Sequence, residues 1–368
     1  MKTDASQPDV SLLIDVAALE RFVDEHVPGE RAAISVEKHV AGYSNETFYV
    51  TRGRDRMVLR RPPRGPLLPT AHDVVREYRY LSALWGRARV PEPLAVCDDA
   101  SVIGAPFYLM RRTEGFVPRF EIPAAYDTPA GYARFSEEMV DALVELHAVD
   151  WRNAGIPGRE DGYLERQVKR WSGQWELTRP RTRELPGLDH ITDWLRRNIP
   201  ASPAATVVHG DYKPDNTMFE ADRPRLVAIF DWEMATIGDP LADVGYLLNH
   251  WEPPPPGPGF EGHTSSVVRV TDRPGFPRAD EVAGMYEAKS GRSLQHLLFY
   301  RVLAAYKGIV IQEGLYMPRE RLRVSAEQRA RRVRQVLALA ADGEVDGGSR
   351  DRRKDGEDDG HHDHDDAK

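Results

Sequence analysis

Apolar and charged residues recur at helical spacing over residues 15–26 (DVAALERFVDEH), which predicts a short helix early in the chain. Three short β-branched and aromatic runs follow, ISVEKHV, ETFYVTR and RMVLRR, split by Gly42-Tyr43-Ser44-Asn45 and Gly53-Arg54-Asp55. Such runs between turn residues predict an antiparallel meander. Residues 71–85 come next as an amphipathic helix, with Val75, Tyr78, Leu81, Ala83 and Leu84 on one broad face. Strand-like runs return near 94–97 and 106–111.

The pattern then changes. Residues 129–148 place Phe135, Met139, Leu143 and Leu146 at helical spacing, and Pro129 suits a first-turn position. Helical periodicity recurs around 163–178, 189–198, 279–290, 294–314 and 324–341, interrupted by a strand–loop–strand block at 206–231. The chain therefore reads as α+β: a small antiparallel β-rich lobe with one helix, residues 1–110, then a larger, mostly helical lobe, 111–342. Prolines 253–256 and nearby glycines mark a loop long enough to act as a lid. Residues 343–368 are rich in Gly, Asp and His, with almost nothing apolar, and read as a disordered acidic tail. A solvated tail is the reading for His361, His362 and His364, with loose metal binding the alternative.

Composition narrows the picture. A hydrophobic fraction of 41% supports a large core across 368 residues. No window approaches the ~18 consecutive apolar residues of a membrane span, so no membrane role is expected. The start, MKTDASQPDV, has no basic-then-apolar signal pattern, and Cys97 is the lone cysteine, so a cytoplasmic location is expected. Of the net charge of −8, the segment 343–368 carries −5 (ten acids, five bases), leaving −3 elsewhere. That balance lacks the basic stripe that nucleic acid requires. Oligomeric state leaves no mark in the sequence.

The chemistry concentrates at 206–244, TVVHGDYKPDNTMFEADRPRLVAIFDWEMATIGDPLADV. His209-Gly210-Asp211 is followed by Asn216 five positions after Asp211, then by Asp231 at the end of an apolar run, 15 positions on. Phosphoryl transfer asks for this set: a carboxylate to accept a hydroxyl proton, and an amide oxygen with a second carboxylate for magnesium. Protein kinases space the Asp and Asn identically and follow them with a strand ending in a metal-binding Asp. Lys213, two residues after Asp211, is placed to reach a transferring phosphate and spread its charge, or to sit solvated in the loop.

These residues resemble the aminoglycoside phosphotransferase/choline kinase superfamily, whose fold is similar to that of protein kinases. VVHGDYKPDN, VAIFDWEMATIGDPLADVGYLL and ERQVKRWSGQW look most like the kinase-like domain fused to some acyl-CoA dehydrogenases and its stand-alone bacterial relatives. The resemblance spans roughly residues 30–340 and implies a bilobal protein-kinase-like fold. It implies Asp211 as base, Asn216 and Asp231 as magnesium ligands, and Asp239 as a brace for the catalytic loop. His209 is expected to pack or hydrogen-bond within the loop. In such folds a lysine on the third strand pairs with a helix glutamate over the nucleotide phosphates. Here the matching pair is Arg60 and Glu77, and the arginine is a departure because its planar fork is wider than a lysine point charge. Arg61 should face the other side of the strand. The phosphate loop falls at 41–46, with Ser44 and Asn45, or is an ordinary turn. The hinge past the adenine falls at 110–112, with Met110.

The expected reaction is transfer of a γ-phosphoryl group from ATP, or GTP, to the hydroxyl of a small molecule. The arginine-rich stretch before Asp211 disfavours a polycation, and the resemblance points to a hydroxy acid or hydroxyacyl-CoA. An aminoglycoside phosphotransferase and a nucleotide-binding pseudokinase are the alternatives. A metal hydrolase using His209 and Asp211 lacks further histidines at ligand spacing, and a protein kinase lacks its glycine-rich loop. Trp171, Trp175 and Trp194, with Tyr163, are either core packing or an apolar wall for the acceptor. Arg166, Lys169 and Arg170 are either the polar face of their helix or an anion site.

Overall fold

In the computed structural model, the described residues are 10, 13–39, 45–63, 73–182, 184–185, 187–252 and 269–316. The expected helix at 324–341, the lid around 253–256 and the acidic tail lie outside them, as does Ser44.

α1 (Val16–His26) starts at Asp15, whose carboxylate accepts the Ala18 N–H at 2.9 Å. β1 (Ile34–His39), β2 (Glu46–Arg52) and β3 (Asp55–Arg61) pair antiparallel in sequence order, as the alternation predicts. Arg52 and Asp55 face each other across a two-residue turn, where Gly53 takes φ +56°, a conformation that suits the twist of a tight hairpin. β4 (Pro93–Cys97) and β5 (Phe107–Arg111) complete a five-stranded sheet in the order β1-β2-β3-β5-β4. Met57, Leu59, Phe107 and Leu109 share one core with α1. Val58, Tyr108 and Met110 point the other way, into the larger core. The strand period of two thus sends Arg60 and Arg61 to opposite faces.

α2 (Val74–Leu84) lies on the Arg60 side, capped by Asp73, which accepts the Arg76 N–H at 2.9 Å. Its buried face is Val74, Glu77, Tyr80, Leu81 and Leu84, rotated from the expected Val75–Tyr78 stripe. The rotation has a cause: Glu77 turns inward to meet Arg60, and the helix turns with it. Two arginines tie this lobe to the next. Arg76 donates to the Glu233 and Ala235 carbonyls. Arg89 pairs with Glu145 at 2.7 Å and with Glu138, donates to the Leu226 carbonyl at 3.1 Å, and through its own carbonyl accepts the Ile229 N–H at 2.7 Å.

The second lobe is built on α3 (Pro129–His147), α4 (Tyr163–Thr178), α5 (Leu188–Arg197), α6 (Leu241–Trp251), α7 (Ala279–Ser290) and α8 (Leu297–Tyr316). Five of these match expected spans within a few residues. α6 does not appear among the expected helices, because its sequence, LADVGYLLNHW, has too narrow a polar face to show helical periodicity. It is apolar nearly all round because it is buried nearly all round. A Cβ at Gly245 would stand 2.6 Å from the Tyr300 backbone, so this glycine lets α6 lie against α8. Between α5 and α6 run two small antiparallel pairs: β6 (Thr206–Val208) with β9 (Thr236–Gly238), and β7 (Thr217–Phe219) with β8 (Leu226–Ile229). Among the described residues no helix is long and apolar enough to cross a membrane.

Candidate active site

The segment linking β6 to β7 is held from below by one buried carboxylate. Asp243, in the first turn of α6, accepts the His209 N–H on Oδ2 and the Gly210 N–H on Oδ1, both at 2.7 Å. His147 of α3 stands 3.3 Å from the same Oδ2 and 2.8 Å from the Tyr286 hydroxyl. Burial pushes the Asp243 carboxyl up, but His147 and the Gly210 N–H outweigh it and hold the acid below its ordinary range. The expected brace, Asp239, does something else. It accepts the Tyr300 hydroxyl at 2.8 Å and the Leu241 N–H at 2.9 Å, so it caps α6 and ties it to α8. Asp243, not Asp239, holds the loop because it sits one turn further along, on the face of α6 that meets it.

Gly210 takes φ +83°, and a Cβ there would stand 2.8 Å from the Met234 carbonyl. The turn therefore needs glycine. His209 is fully buried, with Nδ1 accepting the Asp211 N–H at 3.1 Å and Nε2 donating to the Phe230 carbonyl at 2.8 Å. It orders the loop, as expected.

Asp211 is then presented with its partners around it. Asn216 Nδ2 donates to the Asp211 carboxylate at 2.6 Å, and Lys213 Nζ stands 3.2 Å away. Burial pushes this acid up, yet Lys213, Lys307 and the Tyr246 hydroxyl outweigh it and keep it below the ordinary carboxylate range. It is a carboxylate at neutral pH. The β7–β8 pairing sets Thr217 against Ile229, and the Phe230 N–H continues the ladder to the Asn216 carbonyl at 2.8 Å. Asp231 is the next residue. It is the only non-glycine residue with positive φ among the described residues, at +67°. Such a conformation costs on the order of 1–3 kcal/mol and persists where the surroundings dictate it.

Across the cleft, Arg60 Nη1 stands 3.5 Å from Glu77 and Nη2 stands 3.4 Å from Asp231. The strand and helix residues chosen from the sequence thus meet at the strand-end aspartate. Asn45 joins them, donating to Glu77 at 3.4 Å. Arg61 turns away to pair with Glu46 at 2.7 Å and to donate to the Leu13 and Ile103 carbonyls. Met110 is buried near the end of β5, where the chain leaves the sheet. Glu233, which the sequence reading did not single out, joins the acids here. Burial, with Asp231 and Glu77 nearby, pushes its carboxyl up to about 7. Glu77 is raised by burial and by Asp231, against the pull of Arg60.

Beside Gly210 is a cavity of about 30 Å³, lined also by Tyr163, Trp171, Tyr246, Tyr300 and Lys307. The tryptophans divide. Trp175 and Trp194 are core, while Trp171 and Tyr163 also line this cavity. Arg166 caps its own neighbourhood through the Asp161 and Arg159 carbonyls. Lys307 and Asp243 share the signal that could have found them: a charge inside an otherwise apolar helix must have a buried partner.

A profile of the phosphotransferase enzyme family matches residues 35–273. The chain belongs to this family. The phosphotransferase is 33% identical over 335 residues to acyl-CoA dehydrogenase family member 11 of Rattus norvegicus, covering 86% of this chain and 42% of that relative. It spans less than half the length of the curated relatives it matches. A provisionally named aminoglycoside phosphotransferase of Ralstonia eutropha is 30% identical, with a TM-score of 0.72 over 89% of this chain and 99% of that one. The aminoglycoside phosphotransferase APH(4)-Ia, solved with AMP-PNP and hygromycin B, shares the fold at 14% identity, with a TM-score of 0.58 over 89% and 98% of the two chains. The bilobal, kinase-like α+β architecture is thereby shared with these solved structures.

Proposed function

We propose that this phosphotransferase moves the γ-phosphoryl group of ATP, or GTP, to the hydroxyl of a small hydroxy acid or hydroxyacyl-CoA. The observation that carries the reading is the grouping of Asp211, Lys213 and Asn216 one strand pair from Asp231, facing Arg60 and Glu77. Asp211, kept ionised by the cations beside it, accepts the hydroxyl proton. Lys213 is within reach of both the base and a phosphoryl group approaching it, and offsets charge there. Arg60, paired to Glu77, offers a planar fork for phosphate oxygens. Asn45 supports Glu77, and the segment after Met110 is the place for the base of the nucleotide.

Asp231 and Asn216 supply a carboxylate and an amide, hard donors of the kind magnesium takes together with phosphate oxygens and water. The donor set fits, and Asp231 stands at the strand end with a left-handed backbone, its carboxylate 3.4 Å from Arg60. Magnesium held there would neutralise phosphate charge. The likeness to a family member solved with a nucleotide analogue supports the nucleotide part of this reading.

The test is thermal stability with Mg-ATP and Mg-GTP, followed by nucleotide consumption against hydroxy acids and their CoA esters. Asp211→Asn should lower turnover by about 10²- to 10⁴-fold while keeping the stabilisation by Mg-nucleotide. Turnover that survives this substitution would remove Asp211 as base.

A further inference from the structure

Tyr246 follows Asp243 by three positions on α6, so the two side chains share the helix face that meets the catalytic loop. Asp243 is spent on the backbone of His209 and Gly210. The Tyr246 hydroxyl is hydrogen-bonded to the side chain of the next loop residue, the Asp211 carboxylate. One turn of one helix thus holds the loop twice, by its main chain and by its acid. Tyr246 is only 8% exposed, and a buried hydroxyl is costly unless it is paired. Packing alone would be met by a phenylalanine.

The ring is fixed by its neighbours. His250, one turn further along α6, stacks on it at 4.4 Å, with its Nδ1 2.9 Å from the Tyr246 carbonyl. The Lys307 ammonium of α8 stands 4.6 Å over the ring while donating to the Gly210 carbonyl. Gly245, the residue before, lets the two helices approach this closely. The cavity beside the ring, at about 30 Å³, has room for little beyond water. Ring and ammonium therefore act on the loop and not on a bound molecule. The other partners of Asp211 have second duties in the reaction proposed above. Lys213, 3.2 Å away, also serves the phosphoryl group, and Asn216, 2.6 Å away, also serves magnesium. Tyr246 has neither duty.

We propose that Tyr246 is a positioning residue for the reaction: its hydroxyl fixes the rotation of the Asp211 carboxylate, keeping one oxygen turned to the acceptor while Lys213 and Asn216 engage phosphate and metal. The inference rests on Asp211 being the base. An aspartate carboxylate turns easily about its Cβ–Cγ bond, and a general base works only within hydrogen-bond reach of the proton it takes. Without the hydroxyl the substrates still bind, but the base is less often aligned. The loss then falls on kcat and not on KM.

The experiment compares wild type, Tyr246→Phe, Asp211→Asn and the double variant, with Mg-ATP and whichever hydroxy acid or CoA ester gives the fastest turnover. Tyr246→Phe keeps the ring and removes one hydrogen bond to a charged group, so kcat should fall by about ten-fold or more. KM for both substrates, the melting temperature and the stabilisation by Mg-ATP should stay as in the wild type. In the Asp211→Asn background the same substitution should change kcat by less than about two-fold, since an effect that passes through the base vanishes with it. An unchanged kcat in Tyr246→Phe overturns the proposal, as does an equal loss in both backgrounds. A loss confined to the acceptor KM would make Tyr246 a binding contact, and a loss that tracks a lower melting temperature would make it core support; either overturns it. Full turnover in Asp211→Asn, or none by the wild type on any acceptor, defeats the underlying reading and this inference with it.

Discussion

The two sides of the cleft are organised by different means. On the base side, Asp243 grips two consecutive backbone N–H groups at 2.7 Å, and His147, itself bonded to Tyr286, holds Asp243 in turn. On the nucleotide side, one guanidinium faces Glu77 at 3.5 Å and Asp231 at 3.4 Å, with Glu233 adding a third acid. The first arrangement fixes geometry, since short backbone bonds to a buried carboxylate leave the loop a single course. The second fixes charge, since three acids around one arginine favour the arrival of a cation. The lesson is that pre-organisation of an active site has two currencies, position and potential, and this cleft separates them by lobe.

The largest break in that contrast comes from Asp243→Ala. Removing it leaves two buried N–H groups without their acceptor and should cost about 3–5 kcal/mol in urea unfolding. Asp239→Ala, which loses a tyrosine hydroxyl and a cap, should cost about 1–3 kcal/mol. A reversed order would return the brace to Asp239. Next in size is Arg60. Arg60→Ala should weaken Mg-ATP binding by about ten-fold or more, the loss of a charge-assisted contact. Arg60→Lys should retain most of the affinity, by calorimetry or thermal shift. Affinity unchanged in the alanine variant would detach Arg60 from the phosphates.

The smallest effect is one of pH. Burial lowers His147 below its ordinary 6.5, outweighing the pull of Asp243. Between the folded and unfolded values the unfolded chain binds the proton and the native one does not. Stability therefore falls as pH drops below 6.5, by at most about 1.4 kcal/mol per pH unit. Asp243, whose folded value is depressed below 3.8, adds nothing to this slope until more acid conditions. Melting temperatures of the wild type and His147→Gln between about pH 5 and 7 should converge as pH falls. Parallel curves would mean that His147 is not the group responsible.

Much of this was legible in the residues. The three-strand meander, the capped helices and the spacing of Asp211, Asn216 and Asp231 follow from local rules; the folded chain joins the Asn216 and Asp211 side chains and sets Asp231 one residue past the backbone bond between Phe230 and Asn216. The Arg60–Glu77 pairing and the outward turn of Arg61 were legible because a strand alternates. What escaped depended on distant partners. β5 inserts between β3 and β4, which no local run discloses. α6 hides its period because it is buried on most sides, and α2 rotates because Glu77 answers to Arg60. Asp243 and Lys307 acquire meaning only once α6 and α8 are stacked beneath the loop.

Arg76 and Arg89 carry one more implication. Arg76 rivets α2 to the backbone just past Asp231, while Arg89 pins the start of β4 to α3 and to the β7–β8 hairpin. Through Arg76 the helix is tied to the segment that carries the strand-end aspartate, so the two are mechanically linked. Displacing that helix would have to break those bonds first.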